Sequence, residues 1–147
     1  MKYNTETPYI ASYIVFRKKD KIAFVLRQNT NWMNGYYGLI SGKVEKNESF
    51  LNAARREAKE EAVVNVKPQD LRQIMVAHRN DEGMVWVDMF FEATKWKGEL
   101  YNAEPNIHSE LVWLDPKSLP ENVIPSVSFY IKQIQAGNSY AEYGWES

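Results

Sequence analysis

The chain has 147 residues and an almost balanced charge, with 18 Lys and Arg against 19 Asp and Glu and a net charge of −1. This length fits one domain over residues 1–147, and 44% hydrophobic residues with 14% aromatic ones are enough to form a core. The sequence has no basic block, so duplex nucleic acid is not an expected partner. The absence of cysteine excludes disulfides, thiolate metal sites and cysteine nucleophiles.

The N-terminal residues 1–8 have neither the apolar run of a signal peptide nor an Arg-rich amphipathic pattern. No apolar run in the chain approaches the roughly 18 residues that a membrane span requires. We therefore expect a cytoplasmic protein without a membrane partner.

The first half of the chain predicts a hairpin, a loop and a short strand. Tyr9 to Arg17 is rich in β-branched and aromatic residues and predicts a strand, with Ile22 to Arg27 as its hairpin partner. Asn29 to Tyr37 mixes turn formers with large aromatic residues, which suits either a ligand-facing loop or a plain connector. Gly38 to Ile40 predicts a short strand before a glycine turn at Ser41-Gly42.

A central helix is predicted from Ser49, a suitable N-cap, to about Ala62. Leu71 to His78 and Met84 to Thr94 then predict two strands joined by a polar turn at Arg79 to Gly83. Glu110 to Leu114 predicts one more short strand.

Pro125 and Gly137 bracket a final helix of roughly 12 residues, because proline favours the first helical turn and glycine follows helix ends. Strands interrupted by one central and one terminal helix predict an α/β or α+β sandwich with a mixed sheet.

The central helix carries its acidic residues on an unusual face. At about 100° per residue, Glu57, Glu60 and Glu61 share a face with Phe50 and two alanines, while most of the basic residues lie opposite. An ordinary surface helix places its carboxylates on the solvent side with its lysines and arginines. The pattern therefore predicts carboxylates that face inward or into a cleft.

Clustered carboxylates beside an apolar stripe repel one another and resist desolvation unless a cation neutralises them. Oxygen ligands without cysteine favour Mg²⁺ or Mn²⁺ over Zn²⁺. The helix pattern therefore indicates a metal site, with a solvated helix held by salt bridges as the alternative.

The spacing from Gly42 through Glu48 to Arg56-Glu57-Ala58-Lys59-Glu60-Glu61 resembles the signature of the Nudix hydrolase family. In that family a loop-helix-loop binds metal and the diphosphate of a nucleoside diphosphate derivative. Further segments resemble the MutT-type, nucleoside triphosphate branch, namely Gly35 to Leu39, Glu104-Pro105, Trp113, Leu119 to Asn122 and Pro125. The resemblance implies a Nudix-type alpha-beta-alpha sandwich with a mixed central sheet.

The resemblance also implies a set of metal ligands. Glu57, Glu60 and Glu61 match the family's metal-binding glutamates, and the backbone carbonyl of Ser41 matches a further ligand. Glu104 lies where the MutT-type branch can supply a ligand from a late loop, although a solvated loop glutamate is the alternative.

Catalytic roles follow from the same match. Glu57 is the first candidate for the general base and Glu60 is the second. Arg56 and Glu48 match a pair that orients the helix against the loop, which gives them an indirect catalytic role. Val63 replaces the glycine that normally ends this helix, and a β-branched residue is poor in left-handed geometry, so we expect a remodelled helix exit.

The substrate candidates lie outside the helix, and one of them is Gly42, in the loop that the family uses for the diphosphate. Arg27 and Asn122 are polar candidates for binding the nucleoside, since an Asn amide presents both a donor and an acceptor to a base. Tyr37, like Trp32 and Tyr36, is a candidate for stacking on a base or a simple filler of the core or surface. Neither His78 nor His108 has a partner at ligand or triad spacing, and both are predicted to be structural.

The implied activity is Mg-dependent hydrolysis of a phosphoanhydride bond in a nucleoside diphosphate derivative, a small-molecule nucleotide. A (d)NTP, including an oxidised purine nucleotide, is favoured by elimination, because the residues that mark dinucleoside polyphosphate and ADP-ribose hydrolases are absent from the expected positions. An ADP-ribose or nucleotide-sugar pyrophosphatase and a non-catalytic nucleotide-sensing domain are the alternatives. The sequence leaves a monomer and a homodimer equally open.

Overall fold

The computed structural model describes residues 7–145. Most of the N-terminal segment 1–8 considered above therefore lies outside the described residues, as do residues 146 and 147. Among the described residues, no helix has the length and apolar character needed to cross a membrane. A short 3₁₀ helix at Pro68–Asp70 precedes the fifth strand. The strands and α-helices are β1 (Tyr9–Lys18), β2 (Lys21–Arg27), β3 (Tyr37–Gly38), β4 (Ile40–Lys43), α1 (Phe50–Ala62), β5 (Leu71–Asp81), β6 (Met84–Ala93), β7 (His108–Leu114), α2 (Pro125–Gln135) and β8 (Tyr140–Tyr143).

Strand β1 is the centre of a mixed sheet. It runs parallel to β6 along most of its length and antiparallel to β4. The predicted hairpin with β2 is confirmed only beside the turn, at the pairs Arg17↔Ile22 and Lys18↔Lys21. Beyond that turn β2 pairs instead with β3 and β7, and β4 pairs with β1. On the far side of β6, the order continues through β5 to β8.

The two helices cover opposite faces of this sheet. Side chains alternate between the faces of a strand, so Ile14 and Phe16 of β1 join the core that includes the alanines of α1. Val15, between them, joins a second core that includes Val127 and Ile131 of α2. This arrangement confirms the predicted alpha-beta-alpha sandwich with a mixed sheet.

Three local predictions were wrong. Ser41 and Gly42 do not form a turn but belong to β4, where their backbone pairs with Tyr13 and Ser12 of β1. The predicted turn at Arg79 to Gly83 contracts to Glu82 and Gly83, both with positive φ, which suits a two-residue hairpin. Strand β8 was missed because its few residues gain their strand partner only from the parallel contact with β5.

The start of α1 is as predicted, and its end is not. Ser49 caps the helix by accepting a hydrogen bond from the Asn52 N–H at 3.0 Å. The exit is not remodelled: Val63 itself adopts the left-handed conformation, with φ 58° and ψ 34°, and its N–H donates to Lys59 O at 3.2 Å. The prediction failed because backbone hydrogen bonds at the helix end hold a β-branched residue in a geometry that it disfavours.

Replacement of Val63 by glycine is expected to stabilise the protein by about 1 kcal/mol, since a left-handed conformation costs an L-residue roughly 1–2 kcal/mol. Val63 is 40% exposed, so few packing contacts are lost. Urea unfolding of wild type, Val63→Gly and the control Val63→Ala measures the effect. The alanine variant keeps its Cβ and should gain much less, and a glycine variant no more stable than wild type would contradict the strain at Val63.

Candidate active site

Two carboxylates of α1 form the centre of the site. Glu57 and Glu61 are one helical turn apart, both are buried, at 9% and 6% exposure, and their carboxyl groups lie within hydrogen-bonding reach of each other. The backbone N–H of Ser41 in β4 donates to Glu61 Oε2 at 3.2 Å. The helix is tied to the sheet at its start, where Ser12 Oγ donates to Phe50 O at 2.7 Å. The pair is therefore held against the backbone of β4.

Gly42 permits this close approach. A Cβ added at this position would lie 2.0 Å from Glu57 Oε1 and 2.1 Å from its carboxyl carbon. Any side chain at Gly42 would therefore displace the carboxylate. The glycine is needed for space beside Glu57 and not for a turn.

Arg56 braces the helix against the preceding loop. Its Nε and Nη2 donate to the two carboxylate oxygens of Glu48 at 2.7 and 2.9 Å, a bidentate pair. Its Nη2 also donates to Lys43 O at 3.1 Å, and its Nη1 donates to Glu57 Oε1 at 2.7 Å. Arg56 therefore links the loop, β4 and the candidate general base.

The remaining predicted acidic ligands lie further out. Glu60 is not buried with the pair: its side chain is 53% exposed and accepts from Arg56 Nη1 at 3.2 Å, so of the two predicted orientations, inward or into a cleft, only the second suits it. Its position at the edge of the apolar stripe lets the side chain turn toward solvent. Glu104 is half-buried, and burial, with the charge of Glu60, raises the pKa of its carboxyl.

His108 contacts the acidic pair, which the sequence did not indicate. Its Nε2 lies 3.8 Å from Glu61 Oε1, and its buried Nδ1 has no hydrogen-bond partner among the described residues. Burial, with the charge of Arg27, lowers the pKa of His108 to about 4. The imidazole is therefore neutral at neutral pH and does not act as a counter-ion for Glu61. The contact arises from the pairing of β7 with Arg27 in β2, which no local pattern shows.

The charge balance of the pair fits a hard divalent cation. Burial raises the pKa of Glu61 well above its ordinary value of 4.5, and Glu57 raises it further; burial also raises the pKa of Glu57. Of these two carboxyl groups only Glu57 forms an ion pair with Arg56, so a divalent cation beside Glu61 would favour the ionised form of both. Within residues 7–145 no group of three or more His, Asp or Glu side chains is already arranged to hold a metal ion, so a metal at this pair would need further oxygen ligands.

A cavity of about 460 Å³ opens beside the acidic pair. Ser41, Gly42 and Glu61 line one part of it, together with Arg27 and Trp32. Arg27 donates to Trp32 O at 3.0 Å, and its guanidinium carbon lies 5.4 Å from the centre of the Trp32 ring. Arg27 is thus one predicted substrate residue that the structure places in the cavity. The volume falls within the range of small-molecule sites.

Two other predicted substrate residues are used elsewhere. Asn122 donates through Nδ2 to Gly35 O at 3.0 Å, and Tyr37 donates through its hydroxyl to Glu110 Oε1 at 2.7 Å. Neither residue lines the cavity beside Glu61. Both residues hold the loop at residues 29–37 in place, because the Tyr37 N–H also donates to Asn122 O at 2.7 Å. The hydrogen-bond partners of both side chains are parts of the chain, and their roles in binding a nucleoside stay predictions.

Sequence reasoning missed the polar group at another part of the same cavity. Arg79, Asp81, Met84 and Trp86 line it, from the ends of β5 and β6. The sequence analysis places Arg79 and Asp81 in a turn. If the predicted strand had been extended to Asp81, the two residues would have been recognised as lying on one face of it.

Metal-free wild type is expected to lose stability relative to Glu61→Gln as the pH rises above 4.5. The raised pKa of Glu61 means that the folded protein binds more protons than the unfolded chain above pH 4.5, so the free energy of unfolding falls with rising pH. Glu61→Gln removes this contribution and is expected to become more stable than wild type at the upper end. Denaturant unfolding with a chelator at several pH values measures the difference.

The comparison between variant and wild type isolates the Glu61 carboxyl. His108 contributes with the opposite sign, because its lowered pKa makes stability rise with pH up to about its ordinary 6.5, and this contribution is common to both proteins. Parallel stability curves for the two proteins would contradict the raised pKa of Glu61.

Gly42→Ala is expected to abolish binding of Mn²⁺ with little effect on folding, because the added methyl group displaces the flexible end of Glu57. Calorimetric titration with Mn²⁺ and a thermal melt measure the two properties. Gly38→Ala is the control, since a Cβ there meets Ile124 Cδ1 at 3.1 Å and no carboxylate. Unchanged Mn²⁺ affinity in Gly42→Ala would show that Glu57 is not part of the metal site.

Comparison with known proteins identifies the family. Residues 7–133 match the model of the NUDIX domain. The chain is 30% identical over 140 residues to a protein of Danio rerio named 8-oxo-dGDP phosphatase NUDT18; the match covers 93% of this chain and 40% of that relative, so the chain spans less than half of its length.

Solved structures agree with the sequence comparison. The crystal structure of a MutT NUDIX hydrolase from Burkholderia pseudomallei has a TM-score of 0.78 and 25% identity, covering 87% of this chain and 98% of that one. The solution structure of the E. coli ORF135 protein shares the fold, with a TM-score of 0.76 at 20% identity, covering 92% and 94% of the two chains. The match to the domain model confirms the predicted family, and the structural matches confirm the predicted fold. The chain belongs to the Nudix hydrolase family, with MutT-type proteins among its structural neighbours.

Proposed function

We propose that the chain is a Mg²⁺- or Mn²⁺-dependent pyrophosphohydrolase of nucleoside triphosphates. The observation that carries the proposal is the buried pair Glu57 and Glu61, which needs a cation and lies beside a cavity of about 460 Å³. A buried acidic pair without a ligand lowers the free energy of unfolding. Its position beside a cavity therefore favours a functional role.

Glu57 and Glu61 would hold the metal, with the backbone carbonyl of Ser41 and, from the rim, Glu60 and Glu104. When bound, such an ion neutralises diphosphate oxygens and lowers the pKa of a water molecule. The pair supplies oxygen ligands only, which is the donor set that Mg²⁺ and Mn²⁺ prefer.

The protein's own groups supply orientation and proton transfer. Glu57 is the first candidate to accept the proton of the attacking water, and Glu60 is the second. Arg56 Nη1 lies 2.7 Å from Glu57 Oε1 and orients that carboxylate. The bidentate contact of Arg56 with Glu48 holds the guanidinium in place, so it does not move toward the phosphates of a substrate. Arg27 brings a permanent cation into the cavity and is a candidate for contacting the nucleotide.

The name of the Danio rerio relative, 8-oxo-dGDP phosphatase, supports a guanine nucleotide as the substrate. ADP-ribose or nucleotide-sugar hydrolysis and nucleotide sensing without turnover are the competing functions. We also retain the predictions of a small-molecule partner, a cytoplasmic location, and a monomer or homodimer.

A substrate panel with Mg²⁺ tests the proposal. We expect release of pyrophosphate from dGTP or 8-oxo-dGTP, or of phosphate from the corresponding diphosphates, above the rates with dATP, ADP-ribose and UDP-glucose. Preferential turnover of ADP-ribose or UDP-glucose would favour the competing enzyme class. Thermal stabilisation by nucleotides with no turnover, unaffected by Glu57→Gln, would favour a sensor.

Two glutamine variants test the residue roles. Glu57→Gln is expected to lower kcat by about 10²–10⁴-fold through loss of the general base. Glu61→Gln removes a proposed metal ligand and should lower turnover by at least about 10–100-fold, which is the loss seen when a group that only supports a metal ligand is removed. The circular dichroism spectrum of this variant should match that of wild type. Glu99→Gln removes an exposed carboxylate far along the chain and serves as the control. Wild-type turnover in Glu61→Gln would refute the metal assignment.

A further inference from the structure

A second polar group lies in the same cavity as the acidic pair. Arg79 and Asp81 are alternate residues of β5, so their side chains leave the strand on one face. Arg79 Nη1 lies 3.6 Å from Asp81 Oδ2, and both residues line the cavity that Glu61 and Ser41 also line. A ligand held at Glu61 by its phosphates therefore has a fixed donor and acceptor available to its remaining part.

Arg79 is held rigidly before any ligand binds. Its Nε and Nη2 donate to the two oxygens of Asp88 at 2.8 and 3.3 Å, and Asp88 is fully buried. The Tyr130 hydroxyl donates to Asp88 Oδ2 at 3.2 Å, which fixes the carboxylate in turn. The guanidinium also lies over the ring of Trp86, 4.8 Å from its centre. Arg79 is 7% exposed and loses little freedom on ligand binding.

Arg79 presents the N–H groups of its Nη1 beside the two carboxylate oxygens of Asp81. A guanidinium has five N–H donors, and Asp88 accepts two of those of Arg79, which leaves the Nη1 side toward Asp81. The Asp81 side chain is 45% exposed, so its carboxylate is open to a ligand. The matching ligand edge carries one acceptor followed by two donors.

We propose that Arg79 and Asp81 select a guanine ring by its Watson–Crick edge, which rests on the proposed nucleotide hydrolase function. Guanine O6 accepts from Arg79, and its N1–H and N2–H donate to the carboxylate of Asp81. Adenine places its N6 donor against the guanidinium and its N1 acceptor against the carboxylate, so both contacts become repulsive. The 8-oxo oxygen lies on the opposite edge of the purine, so this pair treats guanine and 8-oxoguanine alike.

Calorimetric titration with GMP, IMP and AMP in saturating Mg²⁺ tests the assignment without turnover, because these monophosphates have no phosphoanhydride bond. Wild type is expected to bind GMP about 10-fold or more tightly than AMP, with IMP between them because it lacks the N2 amine. Asp81→Asn is expected to weaken GMP binding by about 10-fold and to leave AMP binding unchanged or tighter. We choose Asp81 over Arg79 because loss of Arg79 would leave Asp88 buried and unpaired, which threatens folding.

Glu82→Gln is the matched control, since it removes the same charge from the neighbouring position of the hairpin, and it should keep the wild-type affinities. Thermal melts verify that Asp81→Asn is folded. Equal affinity of wild type for GMP and AMP, no binding of either, or equal losses for both in Asp81→Asn would overturn the assignment. These outcomes are independent of the substrate panel: a protein that hydrolyses nucleotides without base preference keeps the proposed function and loses this inference. A protein that prefers GMP but hydrolyses nothing does the reverse.

Discussion

The candidate site depends on the burial of two carboxylates against the backbone of a strand. Glu57 and Glu61 resist desolvation, and their position is kept by packing on both sides of them. The absence of a side chain at Gly42 makes room for Glu57, and the Ser41 N–H holds Glu61. The site is therefore a stability cost of the metal-free protein, which a bound cation would remove.

The surrounding elements act to keep α1 in one place. The Ser12 hydroxyl holds the helix start on β1, and the Arg56–Glu48 pair holds it on the loop. At the other end, Val63 adopts a strained left-handed conformation, which ends the helix. Strain at the helix exit and buried charge in its middle lie within two turns of each other, which is typical of a functional element supported by a rigid sheet.

The sheet also decides what shares the cavity with the acidic pair. Strand β1 separates β4, which carries Ser41 and Gly42, from β6 and β5. Arg79 and Asp81 at the end of β5 therefore open onto the same cavity as Glu61. The rigid Arg79–Asp88 pair makes that second polar group a part of the scaffold, so its geometry does not depend on a mobile loop.

The sequence by itself determined the elements whose signals are local. The helical period placed Glu57 and Glu61 on the buried face of α1, and the N-cap Ser49 marked the start of the helix. The spacing of glycine, arginine and glutamates identified the family, since that motif lies within one loop and one helix. The helical period left open whether Glu60 faces inward or into a cleft, because a residue at the margin of an apolar stripe can do either.

Only the tertiary structure decided which distant side chains meet. His108 reaches Glu61, and Arg79 and Asp81 reach the same cavity, through strand pairings between segments far apart in the chain. Asn122 and Tyr37 form hydrogen bonds with Gly35 and Glu110, contacts that the sequence did not indicate. Local patterns report periodicity and turns, whereas the partner of a polar group depends on strand register, which long-range packing selects.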